Sequence, residues 1–307
     1  MFLRQIFDPW LAQYAYLIGC QRTGEALVID PERDLEVYEA LARENDLRIV
    51  AVAETHIHAD FVSGAQEFAV NPEIRLYLSA EGGPDWLYHW PGTRAGVLYL
   101  RDGDRFRVGN IDVQAVHTPG HTPEHLSFLI TDGGAGVEDP LALVTGDFLF
   151  VGDVGRPDLL ESAAGFKGVM QASAETLQSS LVRQLAGVQD FVQVLPAHGA
   201  GSACGKSLGA VPISTIGYEK RANRPWKQAR EDGPEFVREI LAGQPEPPLY
   251  FKTMKRVNRD GIRVTGGLPK VPRLDAEAFR TAADGGCRVV DARDDVAAFA
   301  CGHFPGA

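Results

Sequence analysis

The 307-residue chain carries 41 Asp and Glu against 30 Lys and Arg, a formal net charge of −11, with 45% hydrophobic residues. That apolar share supports a sizeable core in one large or two smaller domains, and the mixing of both signs without a Lys/Arg block argues against nucleic acid and anionic membrane as partners. No apolar run approaches about 18 residues, and Arg4, Gln5 and Asp8 break any signal-peptide core, so the expected compartment is the cytoplasm.

Taken in order, Gln13–Gly19 and Glu25–Asp30 read as strands joined by the turn Gln21–Gly24. Pro31 opens a helix with Leu35, Val37, Tyr38 and Leu41 on its apolar side. The run Ile49–Ala53 is a short buried strand, followed at once by Glu54-Thr-His56-Ile-His58-Ala-Asp60-Phe61. Imidazoles at i and i+2 on a continuing strand point to opposite faces, so a shared metal requires the backbone to turn here. A second helix carrying Phe61, Ala65 and Phe68 inward and a strand at Arg75–Ser79 are expected next, then a surface excursion over residues 81–110. His89, within that excursion, reads as a structural or surface residue.

Three later strands end in the same way. Ile111–His117 runs into Thr118-Pro-Gly-His121-Thr-Pro-Glu-His125, Leu141–Asp147 ends in a carboxylate, and Phe191–His198 ends in an imidazole. Ligand-type side chains therefore follow four strands, a placement that points to convergence on one site at the edge of a sheet-based core. His117 and His125 are read as shaping the turn around His121. Four widely spaced cysteines, Cys20, Cys204, Cys287 and Cys301, form no Cys-x-x-Cys pair and suggest neither a disulfide scaffold nor a thiolate zinc knot.

Thr55-His-Ile-His-Ala-Asp60, Gly120-His121-Thr, Thr145-Gly-Asp147 and Pro196-Ala-His198 together resemble the metallo-β-lactamase superfamily over roughly residues 1–240. The resemblance implies a four-layer αββα sandwich with a metal at one edge. More narrowly, Glu54 to Gly64, Asp153-Val-Gly-Arg156-Pro-Asp158 and the loop around Cys204 resemble the persulfide dioxygenases fused to rhodanese domains. This implies an Fe(II) enzyme of sulfide detoxification that oxidises a low-molecular-weight thiol persulfide, such as glutathione persulfide, with O2 and water to sulfite and free thiol. The family's iron ligands, which double as its catalytic residues, fall on His56, His121 and Asp147, with His58 beside the metal.

The donor chemistry supports one metal. Superfamily hydrolases build a second zinc site from an Asp, the His directly after it, a bridging Asp and a final His; here Asp60, Asp147 and His198 are present, but Phe61 stands where the imidazole is needed. Two imidazoles and one carboxylate with open positions is the set of non-haem Fe(II) oxygenases, whereas three neutral ligands and water would favour zinc. His58, Asp60 and His198 are read as supporting the ligands or bound water. Arg156 and Asp158 form either a brace for the loops or a surface pair, and Cys204 is either close to the substrate or a buried inert thiol.

The chain is divided on this reading into a dioxygenase domain (1–243), a linker (244–270) containing Gln244-Pro-Glu-Pro-Pro248, and the opening of a rhodanese-like domain (271–307). A helix after Pro234 closes the first part, and Tyr250–Gly267 is an ordered linking segment. In the last part Asp275–Phe279 suggests a helix, Arg288–Arg293 a strand and Cys301–Ala307 a turn, with His303 stabilising it. Cys287 and Cys301 do not occupy the rhodanese nucleophile position, so no sulfurtransferase activity is assigned, and a longer parent chain with a complete rhodanese domain is expected. A homo-oligomeric state stays open. Two further readings compete: a zinc thioester hydrolase of the glyoxalase II type, and a sulfur-carrier or partner-binding module with a structural metal.

Overall fold

Alternate residues of the buried strands go to different cores, and this sets the architecture. The computed structural model describes residues 1–162, 168–267, 271–293 and 295–306. Its strands are β1 (Phe2–Asp8), β2 (Gln13–Cys20), β3 (Glu25–Ile29), β4 (Arg48–Ala53), β5 (Arg75–Ser79), β6 (Val97–Leu100), β7 (Arg105–Val108), β8 (Ile111–His117), β9 (Leu126–Asp132), β10 (Ala142–Gly146), β11 (Gln193–Pro196) and β12 (Ser214–Thr215). Its α-helices are α1 (Leu35–Glu44), α2 (Ala65–Phe68), α3 (Leu159–Ser162), α4 (Met170–Arg183), α5 (Ile216–Ala222), α6 (Arg224–Glu231), α7 (Gly233–Leu241), α8 (Phe251–Asp260), α9 (Ala276–Asp284) and α10 (Val296–Cys301).

Strands β1 to β6 form one six-stranded sheet in sequence order, and β12-β11-β10-β9-β8-β7 form the other. In β2, Tyr14, Tyr16 and Ile18 face the second sheet while Ala15 and Leu17 face α1 and α2; Leu27 and Ile29 alternate likewise with Ala26 and Val28 in β3. On the second sheet Ala142, Val144 and Leu195 face inward, and Leu143 and Val194 pack under α4 to α7 around Trp226 and Phe236. The period of two thus yields the four αββα layers expected from the sequence.

Strands β3 to β6 run parallel, as do β10 and β11, and β8 is antiparallel to β9, which is antiparallel to β10. Within each sheet the residues after β3 and β4, and after β8, β10 and β11, therefore emerge together. Backbone bonds stitch the two edges: Leu126 donates to Thr55 O (2.7 Å), Tyr14 to Ala197 O (2.7 Å) and Gly199 to Ala12 O (2.9 Å).

Several expectations change. The stretch 81–110 contains β6 and β7 rather than a bare excursion, because Leu100, Phe106 and Val108 enter the core between the sheets. The helix after Phe61 is confined to α2, since the backbone of His58, Phe61 and Ser63 is bonded instead to the Asn258 side chain. The linking segment after Tyr250 contains α8, which buries Phe251 and Asn258.

Two compact units are present, Met1–Leu268 and Pro269–Ala307. Ile262, Thr265 and Gly266 of the expected linker donate backbone hydrogen bonds to Gln66 and Glu67, within the first unit. The second unit contains α9 and α10, but among its described residues no strand forms at 288–293, where Val290 is 73% exposed. A strand needs a neighbour's N–H and C=O groups, and no described residue of this unit supplies them. Ala307, the end of the expected turn, lies outside the described residues.

Candidate metal centre

Each metal-binding candidate follows a strand whose end is fixed by the sheets. Asp147 comes directly after β10, His198 two residues after β11, His56 three residues after β4 and His121 four residues after β8. Donor atoms of His56, His121 and Asp147 all lie within 4.8 Å of one another, and all three residues are buried. His121 Nε2 stands 3.4 Å and His56 Nε2 4.0 Å from Asp147 Oδ2.

Hydrogen bonds behind the rings fix which nitrogen faces the site. Thr55 Oγ donates to Asp30 Oδ2 (2.8 Å), so its own lone pair accepts the Nδ1–H of His56 (2.9 Å). His121 Nδ1–H donates to the Arg156 carbonyl (3.0 Å), which can only accept. Both rings thus turn an Nε2 lone pair toward Asp147, the arrangement metal-bound imidazoles use. Burial first, then the neighbouring imidazoles and Lys255, holds both imidazoles well below their usual pKa, so they stay neutral and able to bind a cation. Both Asp147 oxygens are buried without a hydrogen-bond partner. Buried carboxylate oxygens need partners, and a bound metal fits this donor set.

Asp147 is held from behind. His125 Nε2 accepts its backbone N–H (3.0 Å), while His125 Nδ1 bonds Thr118 Oγ (2.8 Å). Burial lowers His125 to about 3, so it remains a neutral acceptor. The sequence reading of a turn-shaping residue misses this reach to Asp147. Asp147 Oδ1 lies 3.4 Å from His198 Nε2, itself 3.3 Å from Asp60 Oδ2, and Cys204 Sγ joins Asp60 and His198 within 4.8 Å. Burial, then the Asp147 and Asp60 charges, raises the Cys204 thiol well above its usual range, so Cys204 is protonated here.

His58 does not face these groups. Its Nε2 lies 3.1 Å from Asp30 Oδ1 and 3.2 Å from Glu54 Oε2. Burial alone would lower its pKa, but Asp30 and Glu54 raise it well above the usual value, which favours a protonated imidazole held between these two side chains. Phe61 packs its ring 4.4 Å from His58. Arg156 is wholly buried and forms a bidentate pair with Asp158 (3.0 and 2.7 Å), with further bonds to Ala203 O and Pro245 O. It is a brace joining the His121 support, the Cys204 loop and the Pro-rich segment, not a surface pair. His89, beside Asp260, and His117, bonded to Pro123 O, lie outside the donor clusters.

Asp30, Glu124 and Lys255 are site residues that the sequence reading did not single out. Asp30 follows β3 as Asp147 follows β10, a parallel visible in the sequence. Glu124 Oε1 accepts the N–H of Ile57 (2.8 Å) between the two histidines. Lys255, on α8, holds its ammonium 4.2 Å from the centre of the Trp86 ring, and burial lowers it to about 8 against the opposing charge of Glu124. It lines a cleft of about 290 Å³ with Ile57, Trp86, Lys252, Arg256 and Arg259. Cations at i, i+3, i+4 and i+7 of α8 were the available signal.

A model of the metallo-beta-lactamase superfamily matches residues 8–198. A crystal structure described as a metallo-beta-lactamase from Staphylococcus aureus subsp. aureus COL is similar with a TM-score of 0.79 at 42% identity, covering 89% of this chain and 77% of that one. The structure of ETHE1 from Myxococcus xanthus gives 0.66 at 28% identity, covering 85% and 99%. The mitochondrial persulfide dioxygenase ETHE1 of Bos taurus is 28% identical over 223 residues, 72% of this chain and 74% of its own length. A hydroxyacylglutathione hydrolase of Methylococcus capsulatus is 27% identical over 265 residues, 86% and 91% respectively.

Proposed function

The chain belongs to the metallo-beta-lactamase superfamily, and from that premise we propose that it is a mononuclear Fe(II) persulfide dioxygenase, converting a small thiol persulfide, O2 and water to sulfite and free thiol. The observation that carries this reading is the withdrawal of His58 into the Asp30–Glu54 pair. It leaves two neutral imidazoles and one carboxylate, a donor set suited to non-haem iron with open positions. Iron held there would supply a site where persulfide and O2 meet and electron density is withdrawn from sulfur.

The chain's own residues do the positioning. Thr55 and the Arg156 carbonyl hold the His56 and His121 lone pairs in place, and the His125 ring fixes the Asp147 backbone. Lys252, Lys255, Arg256 and Arg259 give a locally basic cleft in an acidic protein, suited to an anionic persulfide and its carrier. Residues after 270 are read as a rhodanese-like segment, and the expected compartment is the cytoplasm.

The test is metal content of anaerobically purified protein, paired with oxygen uptake on adding glutathione persulfide. Iron near one per chain, with O2 uptake and sulfite release that Asp147→Ala abolishes, is the expected result. No uptake after iron reconstitution overturns the reading. The hydrolase relative and the second cluster of Asp60, His198 and Cys204 favour zinc thioester hydrolysis as the alternative; hydrolysis of a glutathione thioester by the zinc-loaded protein would establish it.

A further inference from the structure

We propose that the edge strand β1 pairs antiparallel with β1 of a second copy of this chain, centred on Ile6, so that two six-stranded sheets join across a two-fold axis into a homodimer. The pairing holds whichever metal the centre binds and whatever reaction occurs there.

A sheet edge presents unpaired N–H and C=O groups, and natural edges are blunted by shortness, bulges, Lys or Pro. The edges here are β1, β6, β7 and β12. Strands β6 and β7 have four residues and β12 has two, whereas β1 has seven, in continuous register with β2, and contains neither Lys nor Pro. Among the described residues β2 is its only strand partner. Tyr14 spends its N–H on Ala197 O (2.7 Å), away from β1, so the facing pair Phe7–Tyr14 of the β1–β2 ladder is a non-hydrogen-bonded one. By alternation Leu3, Gln5 and Phe7 turn their N–H and C=O groups outward, free to form a second ladder.

Charge selects both the occupant and the register. A two-fold interface must be self-complementary, and pairing about Ile6 sets Arg4 of each copy against Asp8 of the other, Gln5 against Phe7, and Ile6 against itself. Arg4 is exposed, with its guanidinium over the Phe2 ring. Asp8 gives Oδ1 to the N–H groups of Trp10 and Leu11 (2.7 and 2.9 Å), which leaves Oδ2 for a cation. Both ion pairs fall at non-hydrogen-bonded positions of the new ladder, where facing side chains come closest. Centring on Gln5 instead would oppose Arg4 to Ile6 and Asp8 to Phe2, and both pairs would be lost. Exposed apolar side chains extend the surface: Phe7 and Trp10 on one side, Val211 and Ile213 on the other, flanking Pro212, whose carbonyl accepts from Gln5 Nε2 (3.1 Å). The turn held by Asp8 runs on to Ala12, whose carbonyl bonds His198 Nδ1 (3.2 Å), so the interface adjoins a support of the metal centre.

Sedimentation equilibrium of the full chain tests this, together with disulfide trapping in a Cys287→Ser/Cys301→Ser background that removes the two exposed thiols. The wild type is expected to be dimeric at micromolar concentration. Arg4→Glu, which opposes like charges at an exposed position, is expected to be monomeric with Tm and metal content unchanged. Ile6→Cys, adjacent to its own copy, should give a disulfide-linked dimer on mild oxidation. Phe7→Cys should not, because the two copies of residue 7 stand two residues out of register, beyond the roughly 7 Å that a disulfide spans. A monomeric wild type, a dimer that survives Arg4→Glu, or cross-linking that does not favour Ile6→Cys over Phe7→Cys overturns the proposal.

Discussion

Replacing Asp30 by Asn changes one atom and should reverse a chain of protons that ends at the metal. Asp30 Oδ1 accepts the Thr55 N–H (2.7 Å) and faces His58 Nε2, while Oδ2 accepts the Thr55 hydroxyl (2.8 Å). In Asp30→Asn the backbone N–H still requires the oxygen, so the amide NH2 takes the Oδ2 position and donates to the hydroxyl. Thr55 must then donate onward to His56 Nδ1, which becomes the acceptor, and Nε2 acquires the proton and loses its lone pair. Asp30 has φ of 53°, a conformation Asn tolerates as well as Asp, so the backbone is not the cause of any defect. Loss of such ligand support costs about 10–100-fold in metal affinity, or about 1.4–2.7 kcal/mol. Anaerobic Fe(II) titration reads it directly. Thr55→Val leaves Nδ1–H without its acceptor but cannot flip the ring, so the double variant should resemble Thr55→Val alone. Wild-type affinity in Asp30→Asn, or additive losses in the double variant, would refute the proton chain.

Four further outcomes are expected. His58→Gln should retain iron within a few-fold while His56→Gln loses it, as measured by metal content after dialysis; equal losses would make His58 a ligand. Lys255 sits at about 8, below its ordinary 10.5, so it is cationic below pH 8 and neutral above; KM for the persulfide should rise several-fold across that pH, and Lys255→Met should show a high KM with no inflection. Arg156→Met removes the guanidinium from a buried pair and should cost about 3–5 kcal/mol in urea unfolding, with a loss below about 1 kcal/mol contradicting the brace. At Gly146, with φ of 52°, an added Cβ would come within 2.5 Å of His125 Nε2 and 2.8 Å of Thr55 Oγ; Gly146→Ala should lower both Tm and iron content, and iron loss without a Tm change would limit the effect to the ligands.

What could be read from the sequence was local. A residue type just past an apolar run is visible in one dimension, and His56, His121, Asp147 and His198 declared themselves that way. Phe61 likewise announced the missing imidazole by its position after Asp60. Partnerships set by topology were not visible. Whether His58 faced a metal or two carboxylates depended on Asp30 arriving from β3, which lies beside β4 only after the parallel sheet forms. Cys204 could be an inert thiol or a site residue, since only the fold brings the loop after β11 against Asp60. The strands β6 and β7 escaped because each has only four residues, too short for a period of two to register.

The basic helix α8 shows the same limit with a sharper consequence. Its buried face is two residues, Phe251 and Asn258, far narrower than the apolar stripe by which helices are recognised, and Gln244–Pro248 ahead of it reads as a boundary. Yet Asn258 bonds the backbone of His58, Phe61 and Ser63, so a polar side chain, not an apolar face, holds the helix over the metal loop. Buried polar groups carry a penalty when left unpaired; deleting this helix would expose three such backbone groups in the segment that carries His56. The metal loop therefore depends on residues that lie beyond the boundary drawn at residue 243, and the first structural unit extends through α8 for that reason.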